Sequence, residues 1–278
     1  MIEEKKMHPQ IPDPNKNIWF DVMFYGLCGL ILLFLILPLF VVIPISFSSA
    51  NFLQFPPPGF SLKWYRHFFG SYIWMTAVFN SFKIALMSSF LASLLGVGAA
   101  MVLTRYRFRG KNLLYSFLIS PMIIPVIIFA IGAFLMFSRL HLIGNYITIV
   151  LAHTVISVPI VLITISAALQ VFDRDLEYAA LSLGANPFKA FFMVTFPLIK
   201  PGVISGALFA FITSFDEVVI AFFLSTYRCI TLPRLMWSSL REQIDPTIAA
   251  ASSLLILTAV FLLLGVAILS KRAQRLRE

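Results

Sequence analysis

The sequence predicts an all-α polytopic membrane protein with six transmembrane helices. Three observations carry that prediction. Of the 278 residues, 60% are hydrophobic and only 12% are charged, against about 45–50% and about 25% in ordinary soluble domains. The apolar residues gather into six segments that meet or approach the roughly 20 residues a helix needs to cross a bilayer core. Lys and Arg fall in short clusters between those segments, the distribution that sets membrane orientation. The same balance excludes a disordered chain, an ordinary soluble enzyme and a nucleic-acid-binding module. The two cysteines exclude a disulfide scaffold. The net charge of +9 therefore reads as topology signal and contact with anionic lipid headgroups.

The elements follow in order. Residues 1–21 form a cytoplasmic tail, 22–270 the transmembrane domain and 271–278 a second cytoplasmic tail. The first span lies within 22–47, and no charge occurs between Val22 and Leu62. It reads as a retained anchor, because it is too long for a leader and Pro38 and Pro44 precede no small-residue cleavage site. The second span lies within 78–104, with Lys83 near its start. The third is 113–137 and the fourth lies within 142–169. The fifth runs 201–224 and contains Asp216 and Glu217. The sixth runs 247–270.

One side of the membrane collects Lys5, Lys6, Lys16, Arg105, Arg107, Arg109, Lys111, Arg174, Lys189, Lys200, Lys271, Arg272, Arg275 and Arg277. The other collects only Lys63, Arg66, Arg139, Arg228, Arg234 and Arg241. The richer side is cytoplasmic by the positive-inside rule, which places both termini there. In the first outer loop, Pro56, Pro57 and Pro58 predict extended, turn-like chain. Trp64, Tyr65, Tyr72, Trp74 and Trp237 suit an interfacial belt, with an aromatic cage for ammonium groups as the alternative.

The cytoplasmic loop 171–200 carries the most information. Asp173, Asp175 and Glu177 stand where a helix begins, at its positive end. Leu176, Ala179, Ala180 and Leu183 form one apolar stripe at helical spacing. Gly184 is a natural stop. Asn186-Pro187 opens a second short helix with Pro near its first position, continued by Phe188, Phe191 and Phe192. Pro197 and Pro201 punctuate the start of the fifth span. The loop is thus two short helices around a glycine turn, presented at the surface.

The run Glu177-Tyr178-Ala179-Ala180-Leu181-Ser182-Leu183-Gly184-Ala185, with Phe196-Pro197 further on, resembles the EAA loop of permeases from binding-protein-dependent ABC importers. The family's glutamate register falls on Tyr178, and Glu177 stands one position earlier. Thr213-Ser214-Phe215-Asp216-Glu217-Val218-Val219-Ile220, then Thr231-Leu232-Pro233, Met236-Trp237 and Ile244-Asp245-Pro246-Thr247, are similar to the C-type permease of spermidine/putrescine importers. The likeness covers nearly the whole chain. It implies the type I ABC importer permease fold and a place in the bacterial inner membrane. It implies that the loop docks in a cleft of an ATPase through Glu177, Tyr178, Ala179, Ala180, Gly184, Ala185, Asn186, Phe188 and Pro197. The implied partners are a second, non-identical permease subunit, two cytoplasmic ATPase subunits and a periplasmic or lipid-anchored substrate-binding protein.

Asp216 and Glu217 are the only carboxylates expected inside the membrane, and such groups usually face a bundle or a water-filled cavity. Thr213 and Ser214 lie one helical turn before Glu217 and share its polar stripe. One reading gives Asp216, Glu217 and Thr213 a place on the substrate pathway, where a carboxylate meets an ammonium group. The other gives the acids a structural salt bridge, a helix cap or a solvated vestibule edge, with Arg228 as a candidate partner. Lys83 reads as snorkelling to the interface, or as the partner of an acid. His153 reads as a buried, hydrogen-bonded histidine, or as a proton relay.

No catalytic residue, cofactor or metal site is expected. No G-x-x-x-x-G-K-[ST] occurs, and Gly110-Lys111 is followed by Asn112. Cys28, Cys229 and the histidines lack metal-ligand spacing. ATP hydrolysis therefore belongs to a separate subunit. The expected cargo is a polyamine, spermidine or putrescine. The alternatives are an opine, an amino-acid derivative, an aminophosphonate or ferric ion. An ATP-independent secondary transporter would want inverted repeats and more intramembrane charge. A membrane enzyme would want clustered histidines or carboxylates at one leaflet.

Overall fold

A computed structural model describes residues 18–242 and 246–260. The expected tail 1–21 therefore lies outside the described residues except for 18–21. The end of the sixth span, 261–270, the tail 271–278 and the pair Ile244-Asp245 also lie outside them. The regular structure of the described residues is helical, apart from one isolated antiparallel bridge between Ser48 and Phe60. Among the described residues, four helices are long and apolar enough to cross a membrane, or five spans with one bent pair included. The chain divides into two compact units, residues 1–65 with 246–278, and residues 66–245.

In the first unit, α1 (Ile18–Ser46) begins before the expected boundary. Its apolar side chains from Val22 to Phe40 are mostly exposed, as lipid permits and water does not, whereas Val41 to Ile45 are half-buried. Pro38 and Pro44 lie inside it without ending it. Ser46 closes the helix by donating to the Ile43 carbonyl at 2.6 Å. Its hydroxyl also meets Tyr65 Oη at 2.8 Å, and that phenol meets Ser253 Oγ at 2.8 Å. Ser253 belongs to the helix Thr247–Val260. Lys63 donates to Asn51 Oδ1 at 2.8 Å, and the Trp64 indole donates to the Ala50 carbonyl at 3.1 Å. These bonds hold the proline-rich loop against the start of α2 (Lys63–Gly70).

The second unit is built on α3 (Tyr72–Arg105), α6 (Tyr146–Val171) and α9 (Phe196–Phe215), each packed against the other two. Ala92, Leu103, Val158, Val161, Leu162, Ile165, Ile199 and Ala210 form one buried cluster between them. Small residues let the backbones approach. At Gly96, a Cβ would meet Val161 Cγ1 at 2.5 Å. A second cluster joins Ile84, Ile149 and Val150 to Ile220 and Leu224 of α10 (Val219–Leu224) and to Phe137 of α5 (Val126–Arg139).

Three expectations change here. The third span, 113–137, is not one helix: α4 (Lys111–Ile123) and α5 meet at a 102° bend. Pro125 supplies no N–H, and it holds Ile124 extended at φ −70°, ψ 130°. The fifth span is displaced. A continuous helical run covers Pro187–Phe215, comprising α8 (Pro187–Ala190), a π turn (Phe191–Thr195) and α9. The widened π turn precedes Pro197, whose ring would crowd the carbonyl four residues back. The helix thus runs through Pro197 and Pro201 instead of starting at them, and it stops at Asp216. Trp74 leaves the expected aromatic belt: it is buried, 5.5 Å from the ring of Phe68.

Candidate functional site

The loop 171–200 takes the shape its residues predict. Asp173 Oδ1 accepts the Asp175 N–H at 3.0 Å and opens α7 (Asp175–Ser182). Gly184 sits at φ +87°, a conformation that costs other L-residues about 1–2 kcal/mol. The Asn186 side chain accepts the Lys189 N–H at 2.7 Å and caps α8, with Pro187 in its first turn.

The knob turns an apolar surface outward. Leu183 is 89% exposed and Phe188 72%, with Leu176, Tyr178, Phe192 and Met193 also exposed. Phe188 and Phe192 pack at 4.6 Å, and Phe191 and Phe192 at 5.0 Å. These rings stiffen the junction without covering it. Ala179 is exposed and Ala185 half-buried, so neither blocks close approach. A cluster of exposed large apolar side chains marks a surface for contact with a protein or with lipid.

Glu177 points the other way. It pairs with Arg105 at 2.5 Å, the two side chains being 16% and 10% exposed. Thr195 donates to the second carboxylate oxygen of Glu177 at 3.0 Å and receives Arg105 Nη2 at 3.3 Å. Arg174 donates to the Arg105 carbonyl at 3.2 Å. Sequence reasoning placed Glu177 in the loop but missed Arg105 and Thr195. Only the threonine beside a proline-interrupted helix start hinted at a polar contact there.

At the opposite end of α9 the helix breaks. The Asp216 N–H still bonds the Ile212 carbonyl at 3.0 Å, but its side chain is exposed. The Glu217 carboxylate accepts the Ile220 N–H at 2.9 Å and caps α10. Thr213 is half-buried. Neither acid forms an ion pair among the described residues, where Arg105–Glu177 is the one such pair. Arg228 does not reach them: its guanidinium bonds Tyr227 Oη at 3.0 Å.

The rest of that end is tied by polar side chains. Asn80 donates to the Ile230 carbonyl at 2.9 Å and accepts from Tyr146 Oη at 2.9 Å. Lys83 lies 4.4 Å over the Tyr146 ring instead of pairing with an acid. His153 is fully buried, with Nδ1 at 2.8 Å from Ser214 Oγ. Trp237 remains half-exposed beneath Arg241. Cys28 and Cys229 are free thiols. No group of histidines, cysteines or carboxylates among the described residues could hold a metal ion.

An outward apolar knob is thus tied by a largely shielded ion pair to the helical core. Residues 92–277 match the family described as binding-protein-dependent transport system inner membrane component. The chain belongs to that family. It is a permease component of an ABC importer, an integral inner membrane component and not an enzyme. Such systems work with ATPase and binding-protein partners. The chain is 38% identical over 230 residues to the putrescine transport system permease protein PotI of Escherichia coli, covering 80% of this permease and 82% of that one. It is 30% identical to the spermidine/putrescine transport system permease protein PotC of Haemophilus influenzae, covering 82% and 89%. A chain of a bacterial ABC transporter involved in the import of the acidic polysaccharide alginate shares its fold. That match has a TM-score of 0.72 at 16% identity, over 92% of this permease and 98% of that chain.

Proposed function

We propose that this permease imports polyamines, putrescine or spermidine, delivered by a binding protein outside the membrane. The likeness to PotI over most of both chains carries the reading. It pairs with a second, non-identical permease subunit and two cytoplasmic ATPase subunits. Six helices cross the bacterial inner membrane with both termini cytoplasmic. They are α1, α3, the bent α4–α5 pair, α6, the run Pro187–Phe215, and the helix beginning at Thr247.

The loop 171–200 docks on the ATPase. Tyr178, Ala179, Ala180, Gly184, Ala185, Asn186 and Phe188 shape the knob, and Pro197 sets the helix that leaves it. Closure of the ATPase pair moves the knob, and the helices rock. Asp216 lies on the substrate pathway with Thr213 beside it. Its exposed, unpaired carboxylate suits a passing ammonium group, whereas Glu217 is engaged in capping α10.

The experiment is titration calorimetry of the cognate binding protein with putrescine, spermidine and a neutral amino acid. Tight binding of a polyamine alone is expected. Binding of the neutral amino acid, or of none of the three, overturns the polyamine assignment.

A further inference from the structure

We propose that Arg105, Glu177 and Thr195 form a latch that transmits movement of α7 into two membrane helices at once. The proposal rests on the reading of 171–200 as the ATPase-docking loop. It adds two residues outside the motif, acting as positioning residues for energy coupling.

The contacts form a closed triangle across three elements. Arg105 ends α3, Glu177 lies in the first turn of α7, and Thr195 closes the π turn that leads into α9. Each corner bonds the other two. Arg174, just before α7, adds a second tie to the α3 backbone through the Arg105 carbonyl. Arg105 uses both terminal nitrogens, one on the carboxylate and one on the hydroxyl, a fork geometry that lysine cannot copy.

Burial makes the triangle stiff. Thr195 is fully buried, and the charged pair is largely shielded from water. A shielded pair resists separation far more than an exposed one. A displacement of α7 is therefore passed to α3 and to the base of α9 rather than absorbed by the joint.

The test uses the complete transporter, with its partner permease and ATPase, reconstituted in nanodiscs. The readout is stimulation of ATP hydrolysis by the binding protein, purified with its endogenous ligand. Arg105→Gln is expected to keep the ATPase bound and the basal hydrolysis rate, yet lower the stimulation about five-fold, the low end of typical coupling between sites. Thr195→Val and Arg105→Lys change little volume and are expected to give partial losses. The reciprocal Arg105→Glu/Glu177→Arg double variant is expected to recover stimulation relative to Arg105→Glu.

Wild-type stimulation in Arg105→Lys and Thr195→Val overturns the latch. Loss of the ATPase from the Thr195→Val complex also overturns it, because assembly and not transmission would then be the role. Leu183→Asp serves as the separate control. If the ATPase stays bound to that variant, the docking reading itself fails. If it dissociates while the latch variants behave as wild type, only the latch is wrong.

Discussion

Gly96 offers the sharpest test of how the three central helices pack. A Cβ added there would lie 2.5 Å from Val161 Cγ1, 2.9 Å from Val161 Cβ and 3.4 Å from the Leu162 nitrogen. Val161 is fully buried, and a β-branched side chain in a helix has essentially one rotamer. It cannot swing aside, so α3 and α6 must separate. Overpacking of this kind costs about 1–3 kcal/mol, and a stiff neighbour at 2.5 Å puts Gly96→Ala near the upper end. Against that stands a gain of about 1 kcal/mol from replacing glycine inside a helix. The net loss of about 2 kcal/mol corresponds to a fall of roughly 4–8 °C in Tm for a domain of this size. The assay is the thermal stability of the purified permease in detergent, followed by the monodisperse fraction after heating. Gly96→Ala should fall by that amount. Adding Val161→Ala to it should recover stability relative to Gly96→Ala alone, since the two changes meet at one contact. An unchanged or raised Tm for Gly96→Ala would refute the argument that these backbones are in contact through a missing side chain.

Further outcomes follow from the loop and the helix break. Asp216→Asn should reduce polyamine uptake by about ten-fold at unchanged membrane abundance, the scale of one lost charge-assisted contact. Glu217→Gln should reduce it less and act through stability, because an amide oxygen can still accept the Ile220 N–H; equal uptake defects would reverse the assignment. Gly184→Val should cost about 2 kcal/mol of loop stability, because a β-branched residue is forced to a positive φ. Gly184→Asn should cost less than that, and limited proteolysis of the loop in membranes reads the difference.

What the sequence disclosed was mostly local. Acids before an apolar stripe, a glycine at the stop and Asn-Pro at the restart are signals of backbone geometry, and α7, the turn at Gly184 and α8 appear where those residues put them. Proline was ambiguous for a physical reason. Pro38, Pro44 and Pro159 lie inside continuous helices, whereas Pro125 marks a 102° bend. Membrane helices tolerate proline when neighbours satisfy the freed carbonyls, and that depends on tertiary surroundings. The break at Asp216 was hidden because Val218 to Leu224 continue the apolar run. Hydropathy measures where a chain is apolar, not where a carboxylate caps a new helix. Arg105 was invisible as the partner of Glu177 because pairing across 72 residues leaves no periodic trace. Trp74 read as an interfacial residue because composition cannot tell a membrane surface from the packed base of a helix.

The run Pro187–Phe215 makes the loop's second half and the start of the fifth span one mechanical part. Its 29 residues form a lever roughly 43 Å long at about 1.5 Å per residue. Phe188 stands at one end, and Asp216 follows directly on the other. A tilt of about 10° around the middle of such a rod displaces each end by about 4 Å, in opposite directions. That distance exceeds the reach of a hydrogen bond. If the two ends hold the docking and pathway roles proposed above, a push on the aromatic end would bring the acid within contact of a cation or withdraw it, with no change in the conformation of any residue between them.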